Sequence, residues 1–239
     1  MKRDIIAFIR IAKKDYQEKI YKTGQFFMNT SEYFREMAQK DNSGLVGDIH
    51  ETSFPRNYVI NASGLELRAF DESDDDCQAL ALGLNTCIFC FYAITPEMCK
   101  EKDGALYFSV PADTIKGIVG NDDPKLYEIV LFSNPIKLLN MLNDKIDSMN
   151  LYHKDGIVTY DDHLFDIDKS LMVTDINSFG TELCFHKCRK FSNQNEYRIV
   201  IVNDSNSARD DIIIGKLDTS EYRTFIVPSV DTDIIIRIS

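Results

Sequence analysis

Positive charge is in short supply in this chain: 27 Lys and Arg stand against 38 Asp and Glu over 239 residues, a net charge of −11. Proteins that hold long duplex nucleic acid do so through broad basic surfaces, so that class is disfavoured and any nucleic-acid contact must be local. Long apolar runs are missing as well. No segment approaches the roughly 18 apolar residues of a membrane span. The start, Met1-Lys2-Arg3-Asp4, has neither the apolar stretch nor the small-residue cleavage site of an export signal. The chain therefore reads as cytoplasmic, with no membrane partner. It also lacks the glycine-rich phosphate loops of Walker and dinucleotide-fold proteins, which disfavours a kinase, a GTPase or a nicotinamide dehydrogenase.

Histidine is scarce, at 4 residues. His50-Glu51, beside Asp48, has no HExxH partner, and His153 with Asp161-Asp162-His163 matches no metal-nuclease spacing. The acidic run Asp71-Glu-Ser-Asp-Asp-Asp76 lacks the spacing and glycine of an EF-hand loop and reads as a solvated turn. Six cysteines without an export signal read as thiols. Cys87-Ile-Phe-Cys90 with Cys184, His186 and Cys188 could supply zinc ligands. The opposing reading is a buried strand over Cys87 to Ile94, in which positions i and i+3 point to opposite faces.

What remains is a chain 44% hydrophobic and 27% charged, enough for one domain over 1–239, without internal repeats or low-complexity linkers. Strands are expected at 4–12, 25–30, 58–61, 65–70, 87–94, 105–110, 115–119, 127–132, 156–160, 196–202, 211–214, 222–227 and 234–238. Helices are expected at 13–23, ended by Gly24, at 32–40, capped by Thr30-Ser31, and at 135–150, starting at Pro135. The fold class is α+β, dominated by antiparallel sheet with a few flanking helices.

The segment richest in chemistry is Cys184-Phe-His-Lys-Cys-Arg-Lys-Phe-Ser-Asn-Gln-Asn-Glu-Tyr-Arg-Ile-Val-Ile-Val202. A basic stretch, His186, Lys187, Arg189 and Lys190, leads through a polar turn into a strand headed by Glu196. A strand is a rigid support for an aimed carboxylate; an ordinary acidic residue at a strand start is the simpler explanation.

Gln194-Asn195-Glu196 resembles the Gln-x-Glu motif that opens the catalytic strand of ADP-ribosyltransferases. The early order, a strand bearing Arg10, a helix, Gly24, the strand Phe26-Phe27-Met28-Asn29-Thr30 and an aromatic helix with Tyr33, Phe34 and Arg35, resembles the segment with which that family grips NAD. The pairing is also similar to bacterial abortive-infection (AbiGi-like) proteins and to defence toxins of the DarT and CmdT types. The middle departs from the family: Tyr107-Phe108-Ser109-Val110 carries one serine where a Ser-Thr-Ser strand is expected, and Phe89 to Tyr92 is an alternative support for nicotinamide.

The resemblance implies an ADP-ribosyltransferase-like fold of split antiparallel sheets and an NAD-consuming transferase that acts as a bacterial toxin or anti-phage effector. Its acceptor would be a macromolecule, nucleic acid (a short single strand rather than a duplex) or protein, and an antitoxin is an expected partner. Glu196 would stabilise oxocarbenium charge on the ribose and Gln194 would position the acceptor. Arg10 would hold the pyrophosphate, with Arg35 as a second phosphate ligand. Asn29 would hydrogen-bond the carboxamide or a ribose, and Tyr33 and Phe34 would stack on nicotinamide. His186, Lys187, Arg189 and Lys190 would dock the acceptor's phosphates. The reading requires Arg10 and Glu196 to line one cleft, not opposite faces. The alternative is a non-catalytic binding module of a toxin–antitoxin or abortive-infection system.

Overall fold

A computed structural model describes residues 4–40, 53–55, 59–62, 65–68, 79–81, 86–161, 181–202 and 209–238. The acidic run 71–76, the loop with Asp48, His50 and Glu51, and Asp162 and His163 lie outside the described residues. The chain opens with β1 (Ala7–Lys13), α1 (Lys14–Thr23), β2 (Gln25–Thr30) and α2 (Ser31–Lys40). Gly24 ends α1 at φ +69, and its amide returns to the Ile20 and Lys19 carbonyls. A side chain there would collide with the backbone of Gly215, whose carbonyl oxygen would lie 1.8 Å from the added Cβ. The Tyr33 amide donates to the Thr30 hydroxyl at 3.1 Å, an N-terminal cap on α2.

Short strands follow: β3 (Ser53–Pro55), β4 (Val59–Ala62), β5 (Leu65–Arg68) and β6 (Ala79–Ala81). Then come β7 (Thr86–Ile94), β8 (Lys100–Lys102), β9 (Ala105–Val110), α3 (Ala112–Val119), β10 (Tyr127–Phe132) and α4 (Pro135–Ser148). The remainder is β11 (Tyr152–Ile157), β12 (Thr159–Asp161), β13 (His186–Cys188), a tight 3-10 turn over Arg189–Gln194, β14 (Glu196–Val202), β15 (Arg209–Ile213), β16 (Tyr222–Ile226) and β17 (Ile234–Arg237). The α+β class with mostly antiparallel sheet holds. Two expected strands are corrected: 115–119 lies in α3, and 156–160 is divided at Val158 between the end of β11 and the start of β12. Ile115 and Val119 are four residues apart and both buried, the pattern of one helix face. Five apolar-rich residues are too few for strand and helix periods to separate.

The main sheet has eight strands in the order β11-β14-β7-β1-β10-β16, with β2 and β15 attached through β7. One edge of β7 pairs along its length with β14, Thr86 opposite Val202 through Tyr92 opposite Glu196. Its other edge is shared. Tyr92–Ile94 pair with Ile9–Ala7 of β1, and Cys87 and Ile88 pair with Thr30 and Asn29 of β2. Between these two ladders β1 and β7 part company, and the sheet opens beside Arg10 on one side and Phe89 to Phe91 on the other.

Apolar side chains cover both faces of the sheet. Phe8, Phe89, Phe91, Val130, Tyr197 and Ile199 pack under α1 and α4 residues such as Ile20, Leu138 and Leu142. Ala7, Ile9, Ile94, Ile129 and Leu131 pack on the other face with Phe108, Ile115 and Ile236. Cys87 belongs to the first core, while Cys90 packs against a smaller cluster with Ile88, Cys184 and Val200. The two cysteines thus face opposite ways, as strand alternation requires.

Candidate active site

The opening between β1 and β7 is the mouth of a cavity of about 490 Å³, inside the usual range of small-molecule sites, roughly 300–1,000 Å³. Arg10 and Glu196 both line it, together with Asn29, Phe34, Lys187 and Gln194. Phe89, Cys90, Phe91 and Tyr92 supply the β7 wall, and Phe108, Asp113, Thr114 and Ile118 the end towards α3.

The two charged anchors reach the cavity from different sides. Arg10 alternates with Ile9, so it projects on the Phe8 face, and its guanidinium lies 4.9 Å from the Phe89 ring centroid. Glu196 and Arg198 alternate with the core residues Tyr197 and Ile199 and project on the opposite face. They share one cavity because the sheet is open between β1 and β7.

Arg10 is held by Gln17 of α1, a wholly buried amide. The Arg10 Nη1 donates to Gln17 Oε1 at 3.1 Å, and Gln17 Nε2 donates back to the Arg10 carbonyl at 2.8 Å and to the Glu128 carbonyl at 3.2 Å. Among the described residues no carboxylate pairs with Arg10. Burial lowers the guanidinium pKa to about 10, against a smaller opposing effect of the Cys90 thiol, the expected direction for a cation taken from water without a carboxylate partner.

Glu196 is the reverse case. Lys187 Nζ donates to its Oε1 at 2.6 Å and Arg198 Nε to its Oε2 at 2.7 Å. Lys187 and Arg198 are almost fully buried, at 5% and 2% exposure. Burial pushes the carboxyl up, but the charges of Arg198 and Lys187 outweigh it and hold the pKa at about 2. The Glu196 amide donates to the Tyr160 hydroxyl at 2.9 Å, and burial followed by the Glu196 charge raises that phenol.

The turn before β14 aims this group. Asn195 sits at φ +36, a left-handed conformation that asparagine tolerates better than most residues. Its side-chain amide donates to the Ala93 carbonyl, and its own carbonyl accepts from the Ala93 amide at 2.9 Å. The Gln-Asn-Glu segment is therefore fastened to the end of β7. Lys187 Nζ also donates to Gln194 Oε1 at 2.8 Å.

Other expected site residues divide. Asn29 and Phe34 line the cavity; Tyr33 does not, being 44% exposed and edge-on to Phe34 at 5.8 Å. Tyr33 falls two positions after Ser31 on a helix whose other side packs on the sheet, so its ring turns to solvent. Arg35 is on α2, and its side chain lies outside the described residues. The basic stretch does not act as one surface: Arg189 and Lys190 are exposed, His186 is half-buried, and Lys187 is buried against Glu196. That corrects the expectation that Lys187 docks acceptor phosphates, because a lysine engaged inside the protein does not present its charge to a macromolecular surface. Sequence reasoning missed Arg198 and Gln17. The signal for Arg198 was present, a Glu-x-Arg pair whose i, i+2 spacing puts both side chains on one face of a strand. Nothing local marks Gln17, since its partners come from β1 and β10.

Set beside protein-family models, curated proteins and solved structures, the chain matches none of them.

Proposed function

We propose that the cavity binds NAD and that the protein transfers ADP-ribose from it to a macromolecular acceptor, nucleic acid or protein, as a bacterial toxin or anti-phage effector on an ADP-ribosyltransferase-like fold. The observation that carries this reading is that Arg10 and Glu196, near opposite ends of the chain, line one cavity of ligand size. A partly buried guanidinium with a neutral hydrogen-bond partner and an aromatic face behind it is an anion receptor, and its fork suits a pyrophosphate. The Phe89 to Tyr92 wall offers flat apolar surface to a ring. Glu196 stays ionised throughout the physiological range, as required of a carboxylate that stabilises positive charge on a ribose. Its oxygens each accept a hydrogen bond from a cation, and a carboxylate oxygen has a further lone pair for a ribose hydroxyl.

One observation favours a second reading. Both oxygens of Glu196 are already engaged by cations, Lys187 and Arg198, and a carboxylate so engaged has less charge to offer an oxocarbenium ion, while cations at a cavity wall welcome an anion. On that reading the protein binds a nucleotide without breaking it, as a module of a toxin–antitoxin or abortive-infection system.

Labelled NAD added to cell lysate with wild type, Glu196→Gln and Arg10→Met separates the two. The transferase reading expects label in a protein, DNA or RNA fraction with the wild type, lost in Glu196→Gln. Arg10→Met should weaken NAD binding by about 10- to 100-fold, the scale of a charge-assisted hydrogen-bond pair. NAD that binds the wild type in an Arg10-dependent way, without nicotinamide release or label in any fraction, would leave the binding module.

A further inference from the structure

We propose that Lys187 is a positioning residue whose single buried ammonium ties Gln194 and Glu196 together and so sets the direction in which the carboxylate faces the cavity. This rests on the reading of Glu196 as the reacting carboxylate, and it goes beyond that reading by giving β13 a task within the site.

Lys187 Nζ reaches Gln194 Oε1 at 2.8 Å and Glu196 Oε1 at 2.6 Å, and it lies 5.2 Å from the centroid of the Phe191 ring. An ammonium has three donors and no acceptor, so two are spent on the two ends of the Gln-x-Glu segment and the aromatic face stabilises the cation from a further side. The segment needs such a tie. Gln194 ends a 3-10 turn, Asn195 is left-handed and Glu196 begins a strand, so regular secondary structure does not relate the two side chains. A bond from one atom to both relates them directly. Arg198 holds the other carboxylate oxygen from within β14, and with both oxygens held the carboxylate cannot rotate about its terminal torsion, which is otherwise soft. The groups facing the carboxylate are Lys187 from β13, Arg198 from its own strand and the Tyr160 phenol from β12.

The test compares Lys187→Met and Lys187→Arg with wild type in two measurements: NAD turnover, with kcat and KM separated, and the 13C shift of the Glu196 side-chain carboxyl against pH. Lys187→Met should lower kcat by on the order of 10²-fold, the cost of about an ångström of misplacement, with little change in KM for NAD or acceptor. It should also move the carboxyl midpoint up from about 2 towards the ordinary 4.5, and Lys187→Arg should restore part of both. A raised acceptor KM with intact kcat would return Lys187 to acceptor docking and overturn the proposal. So would a midpoint and kcat that stay at wild-type values. If the wild type turns over no NAD, the transferase reading fails, while the carboxyl titration still judges the tie. If Lys187→Met does not fold, Lys187→Gln, which keeps a donor without the charge, is read in the same way.

Discussion

Two glutamates are buried in the same sheet, and in sequence they look alike. Glu128 is the second residue of the run Tyr127-Glu-Ile-Val-Leu-Phe132, and Glu196 opens the run Glu196-Tyr-Arg-Ile-Val-Ile-Val202. In the fold they are opposites. Glu196 has a cation on each oxygen and is held at about 2. Glu128, 4% exposed, has no ion pair among the described residues: burial raises its carboxyl, hydrogen bonds from Tyr21 and Thr224 and the charge of Lys14 offset part of that rise, and its Oε2 has no hydrogen-bond partner among the described residues. The difference traces to the residue two places on, Arg198 in one strand and Val130 in the other, and to Lys187 arriving from β13. A carboxylate paired with two cations is one the fold keeps ionised; a carboxylate buried without an ion pair is one it merely tolerates.

Removing each acid should widen this contrast, and the largest effect is expected at Glu196. Glu196→Ala removes the carboxylate that the buried Lys187 and Arg198 share, which should cost about 3–5 kcal/mol in urea unfolding. Glu128→Gln should instead be stabilising at neutral pH by about 1 kcal/mol, the scale of relieving an imperfectly satisfied buried polar group. Equal losses at the two positions would break the comparison.

Acid titration should give the two glutamates opposite signs. A depressed folded pKa contributes stability that is present above the unfolded value and lost as pH falls through the folded one. For Glu196 that window runs from about 4.5 down to about 2. Glu128 has a raised folded pKa, so its ionisation costs stability as pH rises above 4.5, and the advantage of Glu128→Gln should fade as pH is brought below that value. Unfolding free energies of both variants measured from pH 3 to 7 check the signs.

Much of this architecture was legible. The strands 25–30, 105–110, 127–132 and 196–202 coincide with their expected limits because each carries its own signals: β-branched and aromatic runs bounded by Gly, Pro or polar turns. Gly24 and Pro135 mark helix ends in the same local way. Glu196 and Arg10 were singled out through a motif and its order, and the cavity includes both. The opening that brings them together was not legible, since it depends on where β7 exchanges β1 for β2 as its neighbour, a choice made between strands far apart in sequence. Lys187 was misassigned for a related reason. In sequence it belongs to a basic stretch, and its burial follows from the parallel pairing of β13 with β12, which places it beneath the turn.

The smallest effect concerns the residue that aims Glu196. Glu128 follows an extended residue, Tyr127 at φ −107, that any side chain can adopt, whereas Glu196 follows Asn195 at φ +36. Asn195→Gly keeps the left-handed backbone and loses the side-chain bond to the Ala93 carbonyl. Asn195→Ala loses that bond and also carries a Cβ into the left-handed region, adding roughly 1–2 kcal/mol. Thermal unfolding should therefore rank the wild type first, glycine slightly below it and alanine last. The reverse order, with alanine above glycine, would mean that the entropy glycine adds to the unfolded chain outweighs the strain at this turn, and that the strand rather than Asn195 sets where the carboxylate points.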